Sequence, residues 1–303
     1  MHTARKGEWL EIQAPVTWAD RSIEEIAKEE LKIPKKLLHS LRMEKGIKLN
    51  GKDQPWSTKL MTTEQLMIKC FIDEEFGVLP QDLSIDILFE DDHLLVASKP
   101  ISMDTHPNEP SQVGTLANGI AFHWMLTGIH AKVRHIHRLD RDTSGAILFA
   151  KHQMASSLLD QMLENREIKR TYIAYVSGLM KKTRGTVKEP IGRDRHHPTR
   201  RRVSKAGQTA VTHYEVVETF QASNVTKVKL QLDTGRTHQI RVHLSHLGHP
   251  IMGDKLYGGP TTDIQHQALH AAYLSFIHPI TKEDVQITAP FPAELQLYEK
   301  KLR

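Results

Sequence analysis

The 303-residue sequence contains only one cysteine, Cys70. A lone thiol excludes an intramolecular disulfide framework and a cysteine-rich zinc site, and it is typical of a reducing compartment. No uncharged apolar run approaches the ~18 residues that a membrane span needs, and residues 1–6 lead into no apolar signal segment. These absences predict a cytoplasmic protein with no membrane association.

Motifs for cofactors and metals are missing as well. The sequence has neither a glycine-rich dinucleotide loop nor a P-loop lysine signature. Its 19 histidines invite comparison with a metal-dependent hydrolase, but His238 and His243 do not have the i, i+4 spacing of a helical ligand pair, and no Glu lies between them. His135 and His137 could share a strand face, yet two ligands do not make a site. We therefore expect no metal and no cofactor.

The composition is that of an ordinary globular chain, with 39% hydrophobic and 25% charged residues. A formal net charge of +5 suits a polyanionic partner, and cations are clustered at residues 181–184 and 193–205. Such clusters could bind a phosphate backbone or could only keep loops solvated. Charge alone leaves both interpretations open.

A pair of helices is predicted near the amino terminus. Ser22 and Glu25 have the spacing of a capping box, so a helix begins there and continues toward Leu31. Pro34 suits the first turn of a second helix, which Gly46 would end in a left-handed conformation. Three basic residues of the second helix share a face opposite its leucines and form a candidate phosphate-binding stripe: Lys35, His39 and Arg42.

A hairpin and a returning strand follow the helix pair. Ile47–Leu49 reads as a strand, Asn50-Gly51 as a type I′ turn, and residues 66–72 as a later strand. With this helix pair and hairpin, residues 1–73 resemble an S4-like RNA-binding domain. The first helix lacks the Arg-Leu-Asp opening that is usual in that family. The alternative is a small αβ appendage that only supports folding.

A linker is predicted at residues 74–83, where Gly77 and Pro80 interrupt the periodic pattern, and a larger domain at 84–303. In the larger domain helices are predicted at 153–165 and 237–247. Few crossover helices between successive strands are typical of an α+β fold with a mixed, largely antiparallel sheet. The predicted strands are 85–89, 94–97, 146–150, 172–176, 211–217, 228–232 and 285–288.

Asp140 is the first candidate for chemistry. It lies just before an apolar strand, where a rigid scaffold would present a carboxylate. The alternative is that Asp140 or Asp142 only caps the turn. Arg241 lies on the predicted helix 237–247, which Thr237 would cap, and it could keep a carboxylate ionised or bind phosphate. A purely structural ion pair would have the same sequence pattern.

Several segments, taken in chain order, resemble one enzyme family. From about residue 85 to the end, the sequence is similar to the bacterial-type pseudouridine synthases called the RluA family, which modify uridines in structured RNA. The most specific string is His137–Gly145. The other matching segments are 98–100, 106–107, 114–118, 169–174, 190–193, 234–243, 249–254, 270–271 and 276–279.

The resemblance implies a role for individual residues. Asp140 would be the essential carboxylate, which attacks the ribose or the base or assists detachment of the base, and these alternatives stay open. Arg241 would pair with Asp140 and orient it, while Tyr172 would stack under the target base. The resemblance also implies RNA contacts for three further residues: Arg138, which would fill the space of the extruded nucleotide, Arg236 and His238.

The family's reaction has no net redox change, so it needs neither a cofactor nor a metal. The resemblance implies an enzyme that acts on RNA, with ribosomal RNA favoured over transfer RNA. Nothing in the sequence pattern calls for a dimer, so we expect a monomer. One departure from the family is Ser102, which replaces the glycine of a Lys-Pro-Ala-Gly-Met turn, so the loop loses a glycine's backbone freedom. The rival interpretation is a non-catalytic RNA-binding or ribosome-assembly factor, which would gain nothing from the Asp140 anion.

Overall fold

The computed structural model describes residues 2–303, and its N-terminal unit is an antiparallel sheet of four strands in the order β1-β2-β4-β3 with two helices. The apolar residues of this sheet and of the helices form one core. The elements are β1 (Thr3–Lys6), β2 (Trp9–Gln13), a 3₁₀ turn (Val16–Trp18), α1 (Ile23–Glu25, continued by the π-helical turn Ile26–Glu30), α2 (Lys35–Met43), β3 (Ile47–Leu49) and β4 (Gln65–Lys69).

Two local predictions for this unit are confirmed. The Ser22 hydroxyl accepts a hydrogen bond from the Glu25 amide, and the Glu25 carboxylate accepts one from the Ser22 amide, which is the capping box that begins α1. Asn50 and Gly51 have φ angles of 50° and 76°. Positive φ at both central residues is what a type I′ turn requires, so the hairpin turns where the sequence indicates.

The end of α2 differs from the prediction. Lys45, with a φ of 50°, and not Gly46, adopts the left-handed conformation. Gly46 is required for another reason, because a Cβ at this position would lie 2.7 Å from a methyl carbon of Leu41. Pro34 precedes the first turn as the N-terminal cap instead of lying within it.

Residues 70–85 contain no helix or strand, and they pack against the larger part of the chain. The Glu74 amide donates to the His130 carbonyl, and the Val133 amide donates to the Phe76 carbonyl, both over 2.9 Å. Three apolar residues of the larger part complete the N-terminal core: Met154, Leu158 and Ile280. The two parts therefore share buried apolar surface.

A ten-stranded mixed sheet, largely antiparallel, forms the larger part. Its main path is β10-β13-β14-β9-β15-β8-β6-β5, with β16 paired to β15 and β7 to β8, while β11 and β12 form a separate hairpin. The elements are β5 (Asp86–Glu90), β6 (Leu94–Lys99), α3 (Leu116–Leu126), β7 (Arg134–His135), β8 (Ser144–Ala150), α4 (Gln153–Glu164), β9 (Lys169–Ser177), β10 (Arg184–Val187), β11 (Ile191–Arg193), β12 (Arg201–Val203), β13 (Thr212–Phe220), β14 (Val225–Leu232), α5 (Gln239–His246), a 3₁₀ turn (Lys255–Tyr257), β15 (Leu269–Ile277), β16 (Asp284–Thr288) and α6 (Ala293–Leu302).

The predicted strands and helices of this part are all present, and the α+β prediction is confirmed. Two elements that were not predicted carry much of the core. Strand β15 runs parallel to β8 and antiparallel to β9 and β16, and its mostly buried sequence lacks the alternation of a strand with one wet face. Helix α3 is buried on nearly all sides, so it lacks an amphipathic pattern.

Candidate active site

A cavity of about 660 Å³ opens where the segment before β8 meets β9, the end of β14 and α5. Its size is within the range of about 300 to 1,000 Å³ that is usual for ligand pockets. Six of the predicted site residues line it: Arg138, Asp140, Tyr172, Arg236, His238 and Arg241. The other three, Lys35, His39 and Arg42, lie on α2 in the N-terminal unit.

The backbone around Asp140 is fixed by one side chain from a neighbouring loop and by a hydrogen bond within its own turn. Thr105 Oγ1 donates to the Leu139 carbonyl over 3.1 Å and accepts from the Leu139 amide over 3.2 Å. The Thr143 amide donates to the Asp140 carbonyl over 3.0 Å, which closes the turn before β8. Because its main chain is held from both sides, the Asp140 carboxylate projects into the cavity from a rigid support.

A buried lysine joins this turn to the loop after β6. Lys99 is fully buried, and its Nζ donates to the carbonyls of Pro100, Met103 and Arg141 over 2.7 to 2.8 Å. Burial lowers the pKa of Lys99 to about 7, against the raising influence of three nearby aspartates. Through these three contacts, Lys99 fixes the residue next to Asp140 relative to the loop at 100–103.

The loop at 100–103 keeps its left-handed residue although the glycine is missing. Ser102 has a φ of 58°, and its hydroxyl makes only a long contact of 3.5 Å with Asp142. A residue with a Cβ is strained in this conformation.

We therefore expect Ser102→Gly to stabilise the protein by about 0.5 to 1 kcal/mol in urea denaturation. Ser111→Gly is the matched control because Ser111 is exposed and does not have a positive φ. Glycine at 111 should leave stability unchanged or lower it. Equal effects of the two substitutions would show that residue 102 is not strained.

Arg241 on α5 lies between two carboxylates. Its Nη1 donates to Asp140 Oδ2 over 3.0 Å, and its Nε and Nη2 donate to the two oxygens of Asp254 over 2.7 and 2.8 Å. Burial opposes the charge of Arg241, but hydrogen bonds from its guanidinium to Asp254 and the charge of Asp140 raise its pKa above the ordinary value. The guanidinium is thus a permanent cation that Asp254 orients toward Asp140.

His238 approaches the same carboxylate from the start of α5. Its Nε2 lies 3.9 Å from Asp140 Oδ2, and its Nδ1 is hydrogen-bonded to the Tyr257 hydroxyl over 2.9 Å. Burial lowers the pKa of His238 even though the Asp140 charge opposes this, so the imidazole is neutral at pH 7. The Tyr257 ring also packs 5.0 Å from the Arg241 guanidinium.

The prediction that Thr237 caps α5 is wrong. His238 is the capping residue, with a left-handed φ of 58° and no side-chain cap bond. The turn before the helix is instead closed by Gln239, whose Oε1 accepts from the Arg236 amide over 3.0 Å and from Thr234 Oγ1 over 2.8 Å. This buried amide closes the turn in place of the expected threonine cap.

Tyr172 and two arginines define the rest of the cavity. Tyr172 is 4% exposed, and burial raises its pKa, so the phenol keeps its proton at neutral pH. Arg138 and Arg236 are both exposed, and Arg236 Nε donates to the Thr209 carbonyl over 3.0 Å. The cavity therefore has an aromatic wall beside Asp140 and cations at its mouth.

The basic stripe of α2 lies in the N-terminal unit. Lys35 and His39 are exposed, whereas Arg42 is engaged within the unit. Arg42 Nη2 lies 3.0 Å from Glu24, and the guanidinium packs 4.4 Å from the Trp56 ring. Lys35 and His39 are thus the members of the stripe that are most available to a partner.

The histidines considered for a metal centre make other contacts. Both ring nitrogens of His243 are hydrogen-bonded, to Thr212 Oγ1 over 2.8 Å and to the Glu189 carbonyl over 2.9 Å. The ring of His135 stacks on that of His106, with centroids 4.2 Å apart. Across residues 2–303, no three His, Cys, Asp or Glu side chains are grouped as a metal site would require.

Five residues that organise the site received no role from the sequence: Lys99, Thr105, Gln239, Asp254 and Tyr257. Lys99 and Asp254 lie in segments that resemble the family, but a family string does not reveal which side chain each contacts. Asp254 is 1% exposed. A carboxylate so deeply buried requires a cation, and only the folded chain identifies that cation as Arg241.

Comparisons with known proteins identify the family of the chain. Residues 93–246 match the family of RNA pseudouridylate synthases, and residues 10–66 match the N-terminal domain of the RluD ribosomal pseudouridine synthase. The chain therefore belongs to the RNA pseudouridylate synthase family. It is an RNA pseudouridine synthase, an isomerase whose substrate is RNA.

The relatives extend over most of the chain. The uncharacterized RNA pseudouridine synthase YhcT of Bacillus subtilis is 46% identical over 96% of this chain and 97% of its own length. The ribosomal large subunit pseudouridine synthase D of Haemophilus ducreyi is 38% identical over 78% of this chain and 76% of its own. Human RNA pseudouridylate synthase domain containing 4 has a similar structure, with a TM-score of 0.59 and 25% identity over 72% of this chain and 93% of that chain.

Within residues 2–303, no helix combines the length and the apolar character that crossing a bilayer requires.

Proposed function

We propose that this enzyme isomerises uridines of large-subunit ribosomal RNA and that Asp140 is the carboxylate on which the reaction depends. The observation that carries the proposal is the contact of 3.0 Å between Asp140 and Arg241, inside a cavity that Tyr172 also lines. Arg241 pairs with the Asp140 carboxylate and orients it in the cavity through a charge-assisted hydrogen bond. The names of relatives such as the ribosomal large subunit pseudouridine synthases support the choice of RNA.

In the proposed reaction, each step uses side chains that line the cavity. The target uridine leaves its stack at a cost of a few kcal/mol and enters the cavity, where its base lies on Tyr172. Asp140 attacks the ribose or the base, or assists detachment, as the bond between N1 and C1′ breaks, and any bond that Asp140 forms breaks again before the product leaves. The uracil rotates, C5 bonds to C1′, C5 loses its proton and N1 gains one. Arg138 fills the space of the extruded nucleotide, and two further residues contact the RNA backbone: Arg236 and His238.

We propose that residues 1–73 bind RNA as an S4-like domain, that 74–83 link the domains and that 84–303 catalyse the reaction. We further propose that the enzyme works as a monomer in the cytoplasm. The match of residues 10–66 to the N-terminal domain of a ribosomal pseudouridine synthase supports an RNA-binding role for the first unit.

Mapping of pseudouridines in cellular RNA tests the choice of substrate. Large-subunit ribosomal RNA from cells without this protein should lack pseudouridine at one or a few positions. Wild-type protein should restore them, and Asp140→Ala should not. Loss of pseudouridine from transfer RNA alone would contradict the proposed substrate, and no loss in any RNA would contradict the enzyme's activity in the cell.

The N-terminal unit can be tested without truncation, which would expose the apolar residues that complete its core. Lys35→Ala should weaken binding to in vitro transcribed large-subunit ribosomal RNA and reduce the slope of log K against log salt by about 0.7 to 0.9. Lys28→Ala is the matched control, because Lys28 is already paired with Glu24 over 2.6 Å. An unchanged slope for Lys35→Ala would favour a unit that only supports folding.

A further inference from the structure

One further cation, Arg170, lies in the cavity beside the proposed base platform. Arg170 is two residues before Tyr172 on β9, and both side chains line the cavity, as expected for alternate residues on one face of a strand. The Arg170 side chain is partly buried, and its Nε is shielded from solvent. Neither the family resemblance nor the proposed mechanism gives this residue a role.

The guanidinium of Arg170 is unpaired within the part of the chain that the structure describes. Among residues 2–303 no hydrogen bond or ion pair to the Arg170 side chain is present, and its buried Nε makes none. The other arginines of the cavity are either paired, as Arg241 is with Asp140 and Asp254, or exposed to water, as Arg138 is. Because a partly buried cation without an acceptor costs stability, Arg170 does not contribute to the fold through an ion pair.

The space next to Arg170 is open on the side of the loop that precedes α5. Gly235 lies there, and a Cβ at this position would be 3.4 Å from Arg170 Nη1. A larger side chain at 235 would cover this edge of the guanidinium. The planar fork of an arginine fits two oxygens of a phosphate, and a site shielded from water strengthens such a contact.

We propose that Arg170 binds the phosphate attached to the target nucleotide after this nucleotide has entered the cavity. The proposal rests on the function proposed above, since it requires a uridine whose base lies on Tyr172. Two residues along a strand span about 6.6 Å, which places the cation beside the base platform, where the sugar-phosphate of the same nucleotide would pass. The phosphate oxygens supply the hydrogen-bond acceptors that Arg170 lacks among residues 2–303.

The test compares Arg170→Met with Arg166→Met. Arg166 lines the same cavity but is already paired with Asp233 over 3.3 Å, so it is a matched control for loss of one cation. With in vitro transcribed large-subunit ribosomal RNA, Arg170→Met should raise KM about tenfold or more and change kcat less than about threefold. Arg166→Met should change KM less than about threefold, and Arg170→Lys should give an intermediate KM because it keeps the charge without the fork.

Two further measurements separate a phosphate site from other roles. Affinity for poly(C), which offers no uridine to the cavity, should stay within about twofold in Arg170→Met, because only an inserted nucleotide reaches this residue. The melting temperature of Arg170→Met should equal or exceed that of the wild type, because an unpaired charge is removed.

The proposal would be overturned by an unchanged KM, by a fall in kcat alone, by equal weakening of poly(C) binding or by a lower melting temperature. These results concern Arg170 only, as long as the wild-type protein forms pseudouridine in the same RNA. If the wild type forms none in that RNA, the proposed substrate fails instead.

Discussion

Pseudouridine formation should be lost in Asp140→Ala, with a rate at least about a thousandfold below that of the wild type. The reason is that Asp140 is the carboxylate which the fold presents to the cavity, supported on both sides of its backbone and paired with Arg241 over 3.0 Å. Affinity for RNA should stay within a few fold, since an anion adds nothing to phosphate binding. The measurement is pseudouridine formed in large-subunit ribosomal RNA under single-turnover conditions.

Asp142→Ala is the matched control for this experiment. Asp142 lies in the same turn and is partly buried, and its one hydrogen-bond contact among residues 2–303 is the long one with Ser102. Its substitution should leave the rate within about tenfold of wild type, because the carboxylate is outside the cavity lining. If both alanine variants kept more than a tenth of the wild-type rate, Asp140 would be a turn-capping residue and not the catalytic carboxylate.

Asp254→Ala should have the second large effect, on both stability and rate. It removes both hydrogen bonds that orient Arg241 and leaves a guanidinium that is largely buried. Breaking such a pair costs about 3 to 5 kcal/mol of unfolding free energy. Because Arg241 would then be free to shift relative to Asp140, kcat should fall about a hundredfold while KM changes little.

Conservative and remote substitutions distinguish positioning from a general loss of structure. Asp254→Asn keeps the shape and one oxygen acceptor, so it should recover part of the stability and of kcat. Asp263→Ala, at an exposed position of the following loop, should alter neither. An Asp254→Ala enzyme with normal kcat at a temperature where it is folded would show that Asp254 does not position Arg241.

The sequence predicts which residues form the site better than it predicts which of them contact each other. Asp140, Tyr172 and Arg241 stand in segments that resemble the family, and the structure brings all three to one cavity. Asp254 was not assigned because its contact with Arg241 depends on how the chain folds back after α5. That loop is shaped by Gly253, where a Cβ would lie 2.0 Å from the His266 carbonyl oxygen, and no local pattern reveals such an approach.

Strands that follow from a local sequence pattern could be predicted, whereas strands placed by distant pairing could not. Strand β14 alternates buried and partly exposed residues, so its period could be read directly. The position of β15 between β8 and β9 is set by pairing with strands that lie about a hundred residues away in the chain. A glycine at 145 permits this pairing, since a Cβ there would lie 2.2 Å from the Ala271 carbonyl oxygen. Such long-range constraints have no signature in a window of ten residues.

The two strands at the amino terminus were also not predicted. Thr3–Lys6 and Trp9–Gln13 pair with each other and, through Trp9–Gln13, with β4. The first of them is largely exposed and polar, because it is the edge of its sheet. Its stability comes from backbone pairing with β2 and not from burial, so hydrophobic periodicity could not reveal it.

The single-turnover rate of Asp140→Asn tests the central claim most directly, because asparagine keeps the size of the side chain and an oxygen that can accept from Arg241 but removes the negative charge. Pseudouridine formation should be undetectable, while the variant keeps wild-type affinity for RNA within a few fold and a normal melting temperature. A rate within about tenfold of the wild type would show that the reaction does not depend on a charged oxygen at position 140.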